Sequence, residues 1–334
     1  MNGRGGLSSA VTTIIDAGGR YGLHPTWKEF SGEMKYYLFE PDSREAKRLA
    51  EKYAQRSDEI VILDHALAES DVTVRINQLR NSAMSTSSVR NPVSSLFIGE
   101  RSKEVEIINR VEVQGRSIDS FCSENDLEID FLKLDTEGSE YEILLGAAEQ
   151  LRLNILGLRV EVSFDLIFEG KKLFGSISDL LLENGYFLLN FDYNGRGDYQ
   201  NEFVNVDRPY GILTSSDAVF LKRKQHILRP REDVSFSTEI RCLKYAGFCF
   251  LNNAPDVALD MLLFARRELG LDFDVLKDTK LYKFIDRSVH QNFYSLKWQP
   301  GQSLESHSKC YFEIFEKPMR VMHEFMESTD LNPT

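Results

Sequence analysis

Phe131-Leu-Lys-Leu-Asp-Thr-Glu-Gly-Ser-Glu-Tyr-Glu-Ile-Leu-Leu-Gly-Ala147 runs a short apolar strand straight into acids, a glycine and a helix. Ligands of open α/β sheets bind outside the carboxyl ends of the strands, so this pattern offers Asp135, Glu137 and Glu140 to a site. Ser139 with Glu142 three residues on reads as a capping box. Tyr141, Leu144, Leu145 and Ala148 fall at the spacing of one buried helix face. A plain strand-to-helix turn with solvated acids at the dipole-favoured end accounts for the same letters, so the rest of the chain must decide.

Thr12-Thr-Ile-Ile-Asp-Ala-Gly-Gly-Arg-Tyr-Gly22 is a strand followed by a glycine turn, and Tyr36-Tyr-Leu-Phe-Glu-Pro-Asp42 is a strand ending in an acid. Glycine lets a backbone approach a ligand closely, and an acid about twenty residues on accepts hydrogen bonds from ribose hydroxyls. Glu40 fits that role. Asp16-x-Gly18-x-x-x-Gly22 is neither a full G-x-G-x-x-G nor the fullest methyltransferase pattern, so the turn leaves nicotinamide-dependent oxidoreductases and S-adenosylmethionine-dependent enzymes both in play.

Strand-like runs at Thr12 to Asp16, Lys35 to Glu40, Ile60 to Asp64, Ile129 to Asp135 and Leu156 to Val162 alternate with amphipathic helices, the signature of a doubly wound parallel sheet. Helices are expected after Asp42 and from Leu173 to Asn184. Phe187 to Phe191 and Ala218 to Lys222 read as an antiparallel hairpin at the sheet edge. Asn77 to Asn109 is rich in serine around Asn91-Pro92 and reads as a loop. Beyond Gln225 the pattern is helical: Leu243, Ala246 and Phe250, then Ala258, Met261, Leu262 and Ala265, suggest two packed helices, with more helix around Tyr311 to Met326. The division expected is therefore 1–225 for the ligand-binding domain and 226–334 for a helical C-terminal module.

Asp16-Ala-Gly18, Phe39-Glu40-Pro41 and Lys133-Leu-Asp135-Thr-Glu137-Gly138-Ser-Glu140, in this order, resemble the FkbM family of S-adenosylmethionine-dependent methyltransferases. Ala66-Leu67-Ala68 and Ser117-Ile-Asp119-Ser-Phe121 add to the likeness, which runs from about Ile14 to Lys222. Gly19-Arg20 and Leu23-His-Pro-Thr-Trp27 depart from it. The resemblance implies a class I methyltransferase-like, Rossmann-like sheet and methylation of a hydroxyl on a sugar, polysaccharide or natural-product scaffold. It places Asp16 and the Gly18 to Gly22 backbone near the methionine portion of S-adenosylmethionine, Glu40 on the ribose, and Asp64 or Ala66 beside the adenine. Asp135 and Glu161, ending adjacent strands, are the expected catalytic acids, with His24 a third base candidate. Asp135, Glu137 and Glu161 can also bind a magnesium-like cation, although no spacing demands one. A protein that keeps the fold without turnover, serving cofactor binding or assembly, is the remaining alternative.

The 334 residues, 42% of them hydrophobic, leave room for two domains. A net charge of −12 argues against a nucleic-acid partner. Cys122, Cys242, Cys249 and Cys310 show no metal-site or disulfide spacing and read as reduced thiols. No apolar run is long enough to span a bilayer, and Met1 to Ala10 lacks the apolar segment of a signal peptide, so the cytoplasm is the expected location and a small molecule or glycan the expected acceptor.

Overall fold

The computed structural model describes residues 11–91, 101–197, 212–227 and 235–292. They fall into two compact units: one formed by Thr12–Lys28 with Met34–Ile227, the other by Glu29–Glu33 with the described residues beyond Leu228 and Val11.

The first unit is built on a seven-stranded sheet. Its strands are β1 (Thr12–Ala17), β2 (Met34–Phe39), β3 (Ile60–Leu63), β7 (Phe131–Leu134), β8 (Gly157–Ser163), β9 (Tyr186–Gly197) and β10 (Ile212–Lys222), in the order β3-β2-β1-β7-β8-β10-β9. β3, β2, β1, β7 and β8 are parallel, while β10 runs antiparallel to both β8 and β9. This is the doubly wound, Rossmann-like sheet with an antiparallel edge hairpin. The order reverses between β1 and β7, which puts the ligand crevice at the ends of β1, β2 and β7. All four residues of β7 are buried, as expected of a central parallel strand covered on both faces. The covering helices are α1 (Ser43–Lys52), α3 (Ile118–Asn125), α4 (Glu140–Leu145), α5 (Ala148–Leu153) and α6 (Phe174–Glu183); short turns α2 (Arg101–Glu104) and α7 (Lys224–Ile227) complete the unit. Ile15, Leu132, Leu158, Leu144 and Leu181 belong to one continuous core between sheet and helices.

A row of charges crosses the sheet inside this apolar setting. The register places Asp16 beside Lys133 and Lys133 beside Arg159. Asp16 accepts from the Tyr36 hydroxyl and sits 3.4 Å from the Lys133 ammonium, which lies 3.2 Å from Asp135. Burial draws the Lys133 ammonium down, but Asp16 and Asp135 together hold it above its ordinary value.

Two expectations are corrected. Asn77 to Asn109 is not simply a loop: β4 (Ala66–Leu67), β5 (Thr73–Leu79) and β6 (Ile107–Arg116) form a second sheet in the order β4-β6-β5, with a turn of 3₁₀ helix at Ser82–Met84. Pro92, Ser94 and Ser95 lie outside the described residues. The capping box at Ser139 does not form either. Ser139 occupies the N-cap without a capping hydrogen bond, and Glu142 points to Lys171. The helix also breaks at Gly146, so Ile143, Leu144, Ala147 and Leu151 are buried and Ala148 is exposed.

The second unit contains α8 (Ser235–Leu251), α9 (Pro255–Leu269) and α10 (Lys280–Asn292). Leu243, Ala246, Ala258, Met261, Leu262 and Ala265 are buried, whereas Phe250 is partly exposed. Pro255 opens α9 and Gly270, with φ +63, ends it. The Glu33 carboxylate accepts from the Lys280 and Leu281 amides and so caps α10 from a segment almost 250 residues earlier. Cys122, Cys242 and Cys249 are buried free thiols; Cys310 and Tyr311 to Met326 lie outside the described residues. Among the described residues no helix is long and apolar enough to cross a membrane.

Candidate active site

A cavity of about 330 Å³ opens at the carboxyl ends of β1, β2, β3 and β7. Gly18, Glu40, Ala66, Asp135 and Glu137 all line it, although they come from four separate strand ends. Gly18 has φ +81, and a Cβ there would collide with the Asp135 carbonyl oxygen, so the turn must be glycine for β1 and β7 to close on each other. The Gly18 amide donates to the Phe39 carbonyl at 3.2 Å, which ties the turn to β2. Glu40 is 5% exposed. One of its oxygens accepts from the Asp42 amide at 2.9 Å, and burial lifts its carboxyl above the ordinary range.

Other expected residues sit elsewhere. Asp16 is fully buried beneath the turn and supports it through Tyr36 and Lys133. Burial raises its carboxyl, and Lys133 opposes the rise. Gly22 packs on the Tyr53 ring, and the Tyr53 oxygen accepts from the Leu23 amide at 2.9 Å. The Asp64 side chain is 66% exposed and turned away from the cavity; it lies 3.3 Å from His65 Nδ1 but off the line of a hydrogen bond. His65 lines the cavity in its place, and its position next to Asp64, between β3 and β4, was the available signal. His24 is likewise outside the lining. Burial, with Lys133 and Arg159 nearby, lowers its ring to about 4 and keeps it neutral at pH 7.

The acidic strand end holds three carboxyl groups together. Oxygens of Asp135, Glu137 and Glu161 lie within 4.8 Å of one another. Burial, then Asp135 and Glu140, push the Glu137 carboxyl up to about 8. Burial and the same acidic neighbours, Glu137 first, raise Glu161 well above the carboxylate range. Such a cluster can hold shared protons or an oxygen-liganded cation. Its geometry depends on the backbone. Glu137 takes the left-handed conformation at φ +58, rare for a residue with a Cβ, and Gly138 follows at φ +106. Glu140 does not face the site, contrary to the sequence reading. Its carboxylate turns back to accept from the Thr136 and Gly138 amides and the Thr136 hydroxyl. Thr86, from the segment read as loop, closes the other side by donating from its hydroxyl to the Glu137 carbonyl at 2.6 Å. Among the described residues Arg20 and Lys171 are the lysine and arginine side chains of the lining; Lys171 had no signal in the sequence.

The family model for the methyltransferase FkbM domain matches residues 16–188, just over half the chain. The solved methyltransferase FkbM from Methylobacillus flagellatus KT is 14% identical, with a TM-score of 0.35; the match covers 64% of this chain and 44% of that one. Sp1610 of Streptococcus pneumoniae, described as a proposed tRNA (m1A22) methyltransferase, is 10% identical with a TM-score of 0.31, over 94% of this chain and 97% of that one. Among curated proteins none matches. The chain belongs to the FkbM methyltransferase family on the strength of the family match.

Proposed function

We propose that this family member transfers a methyl group from S-adenosylmethionine to a hydroxyl oxygen of a small-molecule or glycan acceptor. The observation that carries the reading is the single cavity in which Gly18, Glu40 and Ala66 meet Asp135 and Glu137. The donor set fits the cofactor: a glycine turn whose Gly18 lines the cavity, and a buried carboxylate with one oxygen left over after its bond to Asp42. Glu40 would take the ribose hydroxyls, and Ala66 with His65 the adenine side. Asp16 acts through the turn it supports. When bound, the cofactor supplies a methyl already activated on a sulfonium.

What remains for the protein is to hold the acceptor oxygen in line and to remove one proton, and orientation supplies much of the rate. Glu161 and Asp135 are the proposed acids at that oxygen. Burial and the neighbouring acids raise the Glu161 carboxyl, which makes it a stronger base once ionised. The same three carboxyl groups are the proposed ligands if a divalent cation assists. Residues 1–225 are proposed to contain this site, and the helical remainder a separable module.

Calorimetry with S-adenosylhomocysteine and, separately, NAD⁺ and NADP⁺ tests the reading. Binding of the first alone is expected. Binding of a nicotinamide cofactor alone would favour the oxidoreductase, and binding of S-adenosylhomocysteine without methyl loss to any metabolite pool would favour a non-catalytic role.

A further inference from the structure

The three-stranded sheet has two unlike faces. Arg75 and Glu112 are exposed on one and pair at 3.3 Å. Val74, Ile76 and Val111, at alternate positions, line the cavity from the other. The register sets Ile76 opposite Val111 and Val74 opposite Val113. These side chains lie outside the main core and are only half-buried, and Val72 beside them is 48% exposed. At one end the strip meets Ala66 through the β4–β6 pairing. At the other, Asn77 pairs with Thr86, the residue bonded to the Glu137 carbonyl. The apolar strip therefore spans from the proposed adenine side to the acid cluster.

Among the described lining residues there is no Trp or Tyr, and Phe39 is buried in the core, so they offer no exposed ring on which a sugar could stack. Among the described residues six carboxyl side chains line the cavity against two cations, and both cations are engaged: Arg20 lies 3.7 Å from Asp42, and Lys171 3.3 Å from Glu142. An anionic acceptor would find repulsion there and no free cation among the described lining residues. We infer that the acceptor is an uncharged hydroxyl compound with an apolar body, which lies on the Val74, Ile76 and Val111 strip while its hydroxyl reaches the acids. This rests on the methyl-transfer reading of the same cavity.

The test titrates the full chain, with and without saturating S-adenosylhomocysteine, with methyl, butyl and hexyl β-glucosides and with glucose 6-phosphate. Affinity is expected to rise with alkyl length, by at least about tenfold from methyl to hexyl, since each buried methylene contributes. Glucose 6-phosphate is expected to bind most weakly. Ile76→Asn and Val111→Asn should erase the gain with chain length and leave S-adenosylhomocysteine affinity unchanged. A flat series, no binding of any glucoside, or tightest binding of the phosphate ester overturns the inference. So do variants that weaken S-adenosylhomocysteine instead, because the strip would then hold the adenine. If the variants do not fold, the unmodified chain's series and its phosphate comparison still decide. Absence of S-adenosylhomocysteine binding alone sinks the methyl-transfer reading, and the series without it still reports on the strip.

Discussion

Replacing Glu137 with Gln should change how stability depends on pH. Its carboxyl is raised from 4.5 to about 8 in the folded protein, by burial first and then by Asp135 and Glu140. For a group whose folded value is raised, the stabilisation is fully present below the unfolded value and is lost as pH rises through the folded one. The window here runs from about pH 4.5 to about pH 8. If Glu137 titrated alone, integration from about pH 5 to about pH 8 gives a loss of about 3 kcal/mol. Coupling with Glu140 and Glu161 spreads that transition, and about 2 kcal/mol is the expected change. Gln keeps the shape without titrating, so the variant should lose correspondingly less over the same range. Urea unfolding of both proteins at several pH values, with chelator present, measures this directly through the midpoints. Added magnesium should restore stability to the unmodified protein near pH 8 if the three carboxyl groups hold a cation. Parallel pH curves for the two proteins would refute the account of Glu137 as a carboxyl held neutral by its surroundings.

Glu40→Ala should weaken S-adenosylhomocysteine binding by about 1.5 to 3 kcal/mol, the typical worth of hydrogen bonds to a charged group, and calorimetry showing unchanged affinity in a folded variant would place the ribose elsewhere. Glu161→Gln should cut turnover, followed as S-adenosylhomocysteine release, by about a hundredfold while leaving cofactor affinity nearly intact, and Asp135→Asn should cut it comparably. Activity that survives thorough chelation removes the cation role; full activity in both variants removes the proposed base. A chain ending at Ile227 should remain soluble and bind S-adenosylhomocysteine as the full chain does, whereas collapse of its circular dichroism spectrum would show that the two units share one folding core.

The large sheet was legible because its strands are signalled locally. β1, β2, β7 and β8 are dense in buried apolar residues, and each expected range lies within one or two residues of the observed one. Of the hairpin only the apolar parts Phe187 to Phe191 and Ala218 to Lys222 were legible; β9 and β10 each run six residues further, through the more polar 192–197 and 212–217. The smaller sheet was not. β5 and β6 bury only part of one face, so their few apolar positions, half-covered and interleaved with Arg75, Asn77, Arg110 and Glu112, give weak alternation. Partnerships across long stretches were equally invisible. Nothing near Lys133 in the sequence marks Asp16, 117 residues upstream, as its counter-ion, and nothing near Lys280 marks Glu33 as its cap.

The acidic motif itself was found by its letters, and its backbone assigns the roles the letters left open. Asp135, Glu137 and Glu140 span six positions and do three different things. Asp135 continues the strand direction, reaches the cavity and stays paired with Lys133. Glu137 adopts φ +58, which redirects its side chain toward Glu161; a conformation of that kind persists only where neighbours over-determine it. Those neighbours are Glu140, bonded to the amides on either side, and Thr86, bonded to the intervening carbonyl. Position 138 then favours glycine by its φ of +106, and a Cβ there would also crowd the Phe168 ring. The two flanking acids are therefore not interchangeable: one completes the carboxyl cluster, and the other fixes the strained turn that presents it.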